Sequence, residues 1–181
     1  YAGDDVEGLQ AAVGANLAEG NVQGAQWSVG LNAADGDVEG LQATVGANLA
    51  RGDVEGLQGA VGVNVATGRM EGAQLAVGVN ATKEGSGLQG AAGVNIAEEF
   101  KGLQLGIVNV GKKVDGLQLG LVNIAEDADE SIALIPINAA GYNHVVVSTN
   151  ESDHMDLGVT FGGKHFYTTL RYGYRIPGPQ G

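Results

Sequence analysis

The residues best suited to chemistry are three histidines and their acidic neighbours. His144, His154 and His165 are the only histidines of the chain. Their spacing contains neither HxH nor HExxH, the patterns that bring two imidazoles onto one metal ion. His154 has Asp153 and Asp156 close by, but all three fall in one polar stretch, and no Ser-His-Asp arrangement can be assembled. We therefore expect no enzyme activity and no cofactor.

A second candidate is a set of carboxylates that recurs at repeat spacing. It comprises Glu7, Glu39, Glu55 and Glu71, together with Asp35, Asp37 and Asp53 at the intervening turns. Stacked like charges repel unless water screens them or a cation bridges them. Oxygen ligands would suit calcium, yet the GGxGxD nonapeptide of calcium-binding β-rolls does not occur. We expect a solvated acidic face without metal, and calcium on that face is the alternative.

Other short motifs and the overall charge narrow the function further. Arg51-Gly52-Asp53 spells the integrin-binding tripeptide, but it occupies a turn where other copies read EGN or DGD. The net charge of −12, with only 9 Lys and Arg, argues against nucleic acid as a partner. The chain has no cysteine, which excludes disulfides and thiolate metal sites.

Two columns of side-chain amides give the strongest spacing signal and define the repeat that must position everything else. The Gln column comprises Gln10, Gln26, Gln42, Gln58, Gln74, Gln89, Gln104 and Gln118. The Asn column comprises Asn16, Asn32, Asn48, Asn64, Asn80, Asn95, Asn109, Asn123 and Asn138. Within a copy, aliphatic residues alternate with Gln, Thr and Asn, and a period of two predicts β-strands.

The spacing between the columns favours parallel stacking over antiparallel hairpins. Gln and Asn lie six residues apart in the first copies but five apart after Gln104 and Gln118. Losing one residue inside a strand would reverse every later side chain, so a corner is expected between Gln and Asn, with the shortening of the copies placed there. We predict an all-β fold: a parallel β-solenoid of about nine coils of 14–16 residues, with amide ladders. An up-and-down antiparallel β-barrel is the alternative.

The C-terminal part has a different pattern and predicts a separate element. Residues 1–142 form the repeat, 143–175 are expected to form an antiparallel β cap, and 176–181 a tail. Met155, Leu157, Val159 and Phe161 share one side of a strand, and Gly162-Gly163 predicts a tight hairpin turn. A cap would cover the open end of the stack, which otherwise invites aggregation.

The copies GLQLGIVNV and GLQLGLVNIA, followed by LGVTFGGKHFYTTLRYGYR, resemble the surface-repeat proteins described from Leptospira and found in other Gram-negative bacteria. The resemblance covers about residues 8–175 and implies a cell-surface or outer-membrane location, with secretion as an alternative, and no catalytic residues. The function expected is that of a noncatalytic surface or scaffold protein whose rigid, repetitive β face contacts a protein partner or another copy of itself. The alternatives are an outer-membrane β-barrel, with membrane association, and a glycan-binding or glycan-acting β-helix protein.

Overall fold

The computed structural model describes residues 1–149, 154–162 and 167–175, and within them the regular structure consists of strands. Seven short strands come first, followed by two long extended segments and three C-terminal strands. Their bounds are β1 Val6–Ala12, β2 Ala15–Ala18, β3 Val22–Ser28, β4 Leu31–Ala34, β5 Val38–Thr44, β6 Ala47–Ala50, β7 Val54–Ala60, β8 Val63–Ala76, β9 Val79–Asn138, β10 Tyr142–Thr149, β11 His154–Gly162 and β12 Tyr167–Arg175. The lengths of β8 and β9 reflect a chain that stays paired while it runs around successive corners.

Successive copies of the repeat pair in parallel and in register. β1, β3, β5 and β7 stack in that order, with Gly8 opposite Gly24 and Gln10 opposite Gln26. β2, β4 and β6 form a second stack in which Asn16 lies opposite Asn32, and β8 joins both stacks. The predicted parallel β-solenoid is confirmed, and the antiparallel alternative is wrong for the repeat.

Glycine makes the corners of the first coils possible. In the coil that contains β3, the chain turns at Gly24, Gly30 and Gly36. Gly24 has φ of +136°, a backbone conformation that side chains with a Cβ rarely adopt. A Cβ at Gly24 would also lie 2.1 Å from the carbonyl oxygen of Gly8 in the preceding coil. The rungs can therefore stack at these corners only without side chains.

The interior of the stack is narrow and unusually polar. In the coil starting at Val38, the buried residues are Val38, Gln42, Thr44, Asn48 and Ala50. The intervening aliphatic residues, such as Leu49, point outward and are partly exposed. The continuous apolar core is a ribbon of Val and Ala from neighbouring coils, ending on Met70. Amides, with Ser or Thr hydroxyls in some coils, fill most of the remaining interior, the reverse of the usual arrangement of polar surface and apolar core.

The number and lengths of the coils differ in detail from expectation. Within the described residues the Gln ladder has the eight rungs predicted. The count of about nine coils differs from the structure, in which the ninth copy, with Asn138 and no Gln, continues neither ladder. The first copy that is one residue shorter begins at Gly72, and its missing residue does not lie between Gln74 and Asn80. The register between β8 and β9 shifts after Ala66, so the residue is lost at the corner that follows Asn80. The second shortening does fall between Gln104 and Asn109. There Asn95 donates to the carbonyl of Leu105 at 2.7 Å, as Asn80 does to Gly90 at 2.8 Å.

The shortened coils contain a compensating pair of residues. Most copies place Val at the inward position two residues before the corner glycine, as at Val38. In the two shortened copies this position is occupied by Gly85 and then by Phe100. Phe100 is buried, and a Cβ at Gly85 would lie 2.8 Å from its Cδ2 atom. The phenyl ring therefore occupies the space that a side chain at Gly85 would need.

Replacing Gly85 with alanine is expected to destabilise the protein by about 1–3 kcal/mol, because the added methyl overpacks against the Phe100 ring. In a Phe100→Val background the same change should cost at least about 1 kcal/mol less. Urea unfolding of the two single variants and the double variant measures this coupling. Additive costs would contradict the pairing.

The C-terminal strands form an antiparallel sheet in the order β10-β11-β12. Met155, Leu157, Val159 and Phe161 face one side, as predicted. Gly162 is the last residue of β11 and pairs with Tyr167, whereas Gly163, the other residue of the predicted turn, lies outside the described residues. The sheet contacts the end of the stack, where Thr168 Oγ1 donates to the carbonyl of Ala133 at 3.3 Å.

Candidate interaction surface

The Gln column forms a continuous hydrogen-bonded ladder. Each Gln Nε2 donates to the Oε1 of the Gln in the preceding coil, from Gln26 to Gln10 through Gln118 to Gln104, at 2.7–2.8 Å. Several members also reach across the coil, as Gln58 Nε2 does to the carbonyl of Val65 at 3.4 Å. All members after Gln10 are fully buried. The ladder therefore joins the two long sides of the coil as well as successive coils.

The Asn column forms a second ladder of opposite polarity. Asn16 Nδ2 donates to Asn32 Oδ1 in the following coil, and the same bond repeats to Asn123 at 2.8–3.0 Å. Asn64 Nδ2 also faces the carbonyls of Gln58 at 3.2 Å and Leu75 at 2.8 Å. Because Gln donates toward the N-terminal end and Asn toward the C-terminal end, the two rows of amide dipoles oppose each other.

Both ladders end before the last copy of the repeat. Asn138 is buried but donates to the carbonyl of Ala128, while Asn123 donates to Ser131 Oγ at 3.0 Å. Asn138 was predicted to belong to the ladder and instead lies beyond its end. Gln118 Oε1 is buried and accepts no hydrogen bond from the described residues, because no Gln follows it.

The third side of the coil has a short ladder of its own. Asp5 Oδ1 accepts a hydrogen bond from the backbone N–H of Asn21, and the pattern continues through Asp37 to the N–H of Asp53, at 2.6–2.8 Å. Asp53 Oδ1 then accepts from the N–H of Arg69 at 2.7 Å. These carboxylates therefore have a structural role at the corner, which sequence analysis missed although the Asp and Asn column was visible.

The bond made by Asp37 needs an oxygen acceptor but not a negative charge. Replacing Asp37 with Asn, the residue at position 21 of the same column, is expected to leave the free energy of unfolding almost unchanged. Replacing Asp37 with Ala removes the acceptor and should cost about 0.5–1 kcal/mol, since water partly replaces it at this exposed corner. Thermal unfolding of both variants measures the difference. Equal losses would show that charge, and not the hydrogen bond, stabilises this corner.

Among the described residues, the others singled out by chemistry form no metal or catalytic cluster, although Glu39, Glu55 and Glu71 lie opposite one another in register on the third side. The described residues contain no group of three or more His, Asp or Glu side chains that could hold a metal ion. In the RGD tripeptide, Arg51 forms a salt bridge with Asp35 at 2.7 Å, and Asp53 Oδ1 accepts the hydrogen bond from the backbone N–H of Arg69 at the corner. His144 lies in β10, Asp156 lies in β11, and His165 and Asp153 lie outside the described residues.

The outward positions of the two amide-bearing sides are free of polar side chains. We define the Gln-side face as the outward residues beside the Gln ladder, up to and including the corner that follows it. They are Leu9, Ala25, Leu41, Leu57, Ala73, Leu88, Leu103, Leu117, Ala11, Trp27, Ala43, Gly59, Leu75, Gly90, Leu105, Leu119, Val13, Val29, Val45, Val61, Val77, Ala92, Ile107 and Leu121.

The Asn-side face adjoins the Gln-side face and has the same character. It consists of two outward columns beside the Asn ladder. They are Ala15, Leu31, Ala47, Val63, Val79, Val94, Val108, Val122, Leu17, Ala33, Leu49, Val65, Ala81, Ile96, Val110 and Ile124. Charged side chains of the coils lie on the third side instead, where Arg69 lies near Glu71 and Glu84 and Lys112 near Glu98.

The Gln-side face is substantially exposed. Trp27, the only tryptophan of the chain, is 67% exposed, and Val45 and Val61 are 54% and 52% exposed. A shallow depression beside Trp27 is lined by Ala11, Val13 and Val29. The alternation in the sequence separates this face from the amides, but a period of two does not show that the aliphatic side lies outside.

The described residues include no helix that could span a membrane. Comparisons with protein families, curated proteins and solved structures found no match to this chain. The apolar faces and the ladders behind them are therefore the basis on which a function is inferred.

Proposed function

We propose that this protein is a noncatalytic scaffold whose stacked coils present apolar β faces for contact with protein. The observation that carries this proposal is the inverted polarity of each coil: Gln and Asn lie inside and aliphatic residues lie outside. A typical monomer exposes apolar patches of about 300–600 Å² at most. The Gln-side face alone covers roughly 700 Å², estimated from the spacing of strands and residues in a sheet.

The ladders supply the rigidity that such a scaffold needs. A coil bound to both neighbours through Gln and Asn amides cannot shift register without breaking several buried hydrogen bonds at once. The outward side chains are thus held at a fixed spacing of about 4.8 Å along the stack. A regular and stiff apolar surface loses little conformational entropy when a partner covers it.

Location and the remaining alternatives follow from different features. The resemblance of the repeat to Leptospira-type surface proteins supports a cell-surface, outer-membrane or secreted location. The membrane alternative depended on antiparallel repeats and loses that support. Glycan binding would require aromatic platforms and polar groups on the bound face, whereas the outward columns hold one Trp among aliphatic residues.

Photo-crosslinking in producing cells tests whether protein covers the apolar faces. A Val61→p-benzoylphenylalanine variant places the photo-reactive group on the Gln-side face, and Thr67→p-benzoylphenylalanine places it on the charged side of the same stack. Both positions are exposed. We expect protein adducts from position 61 and few from position 67. Absence of protein adducts at position 61 would refute the proposal.

A further inference from the structure

We propose that the Gln-side face is covered by the Gln-side face of a second copy of this chain. This inference rests on the proposed function and names its partner. Three observations carry it: the regular spacing of the face, its lack of polar groups, and its area. The charged third side remains in water in such a dimer.

Regular spacing favours a partner with the same repeat. The outward side chains recur from coil to coil at the strand spacing of about 4.8 Å over eight coils, a length of roughly 34 Å. A helix has a pitch of about 5.4 Å and loses register along such a surface. A second β-stack has the same spacing, so its side chains can stay interdigitated along the whole length, as between the sheets of a sandwich.

The composition of the face also points to self-association. Interfaces between different proteins usually contain hydrogen bonds and charges that select the partner. The twenty-four outward positions of this face contain neither. A face related to itself by a twofold axis needs no such selection, because the same patch occurs on both copies and the assembly closes.

The area is adequate for a stable dimer. Covering one Gln-side face removes roughly 700 Å² from water on each copy, close to the about 800 Å² per partner of standard interfaces. Apolar β faces pack at about 10 Å when no charge intervenes. Trp27 would be enclosed by this packing.

The test uses sedimentation velocity and the fluorescence of Trp27 on the purified full chain without detergent. We expect a dimer whose Trp27 emission lies at shorter wavelength than that of the dissociated chain. The Val45→Lys/Val61→Lys double variant places two charges in the interface and should weaken dimerisation at least about a hundredfold. The Gln23→Lys/Thr67→Lys variant adds the same charge on the exposed charged side and should dimerise normally.

The outcomes that would contradict a second copy as the partner can be told apart from loss of folding and from failure of the proposed function. A chain that remains monomeric at all accessible concentrations, with solvent-exposed Trp27 emission, overturns the inference. Equal weakening by both double variants also overturns it, and matching thermal unfolding curves exclude loss of folding as the cause. If position 61 crosslinks in cells only to a different protein, the second copy is refuted while the proposed function stands. Binding of the monomer to phosphatidylcholine vesicles with a shift of Trp27 emission would refute the second copy in favour of lipid.

Discussion

Replacing Gly56 with alanine is expected to prevent the central coils from stacking and to destabilise the protein by on the order of 4 kcal/mol or more. Gly56 has φ of +137°, which is strained for any residue with a Cβ. The added methyl would also lie 2.1 Å from the carbonyl oxygen of Gly40. That oxygen belongs to the backbone of the neighbouring rung and cannot move without separating the two coils.

Gly59→Ala is the matched control, since Gly59 lies in the same strand, three residues away. A Cβ at Gly59 meets no atom within 4 Å, and alanine occupies the equivalent position 43. We expect unchanged or slightly increased stability from this control. Circular dichroism and urea unfolding of both variants measure the effect. Similar stability of Gly56→Ala and Gly59→Ala would show that the corner tolerates side chains and that the stacking geometry differs from the one described.

Replacing Asn64 with leucine is expected to cost about 3 kcal/mol or more, the second large effect. Asn64 Nδ2 faces the carbonyls of Gln58 and Leu75 and donates to Asn80 Oδ1, and Asn64 Oδ1 accepts from Asn48 at 2.8 Å. Leucine removes the side-chain donor from buried Asn80 Oδ1 and one acceptor from buried Asn48 Nδ2, and a buried polar group left without a partner costs about 1–3 kcal/mol. Because both neighbouring rungs are affected, the loss should exceed that of one ordinary hydrogen bond.

The control for Asn64→Leu is Gln23→Leu, which removes a side-chain amide from an exposed position. Its expected effect on the free energy of unfolding is within about 0.5 kcal/mol. Urea unfolding monitored by circular dichroism compares the two. An Asn64→Leu protein as stable as the Gln23→Leu protein would mean that the Asn ladder contributes little to stability, despite its burial.

Much of the fold could be predicted because the constant length of the first copies fixes which residues of successive coils lie opposite one another. Identical residues at Gln26, Gln42 and Gln58 align only if successive coils pair in parallel at a constant step, and the pairing has that step. The change from six to five residues before Asn109 also indicated a corner correctly. The first shortening, after Asn80, was assigned to the wrong corner, because the total length of a copy does not show where a residue was lost.

The C-terminal sheet was predicted less completely. The alternation from Met155 to Phe161 gave the strand and its face, since period two follows directly from an extended backbone. Gly-Gly is a strong local turn signal, but Gly162 lies in β11 and pairs with Tyr167, and Gly163 lies outside the described residues.

The sequence by itself determined the rung spacing and the identity of the two amide columns, because both follow from periodicity along the chain. It favoured the parallel direction but left the antiparallel barrel as an alternative, and the strand pairing decided between them. The sequence could not determine which side of the strand lies inside, since a period of two is the same for either choice. Only the tertiary structure decided this point. Each corner glycine brings the backbone close to the neighbouring rung, and Gln and Asn line the interior. Gln and Asn fit there because every rung supplies a partner for the next, so burial leaves few of their polar atoms unsatisfied. The aliphatic residues are thereby placed outside, where they form the surface from which the function is inferred.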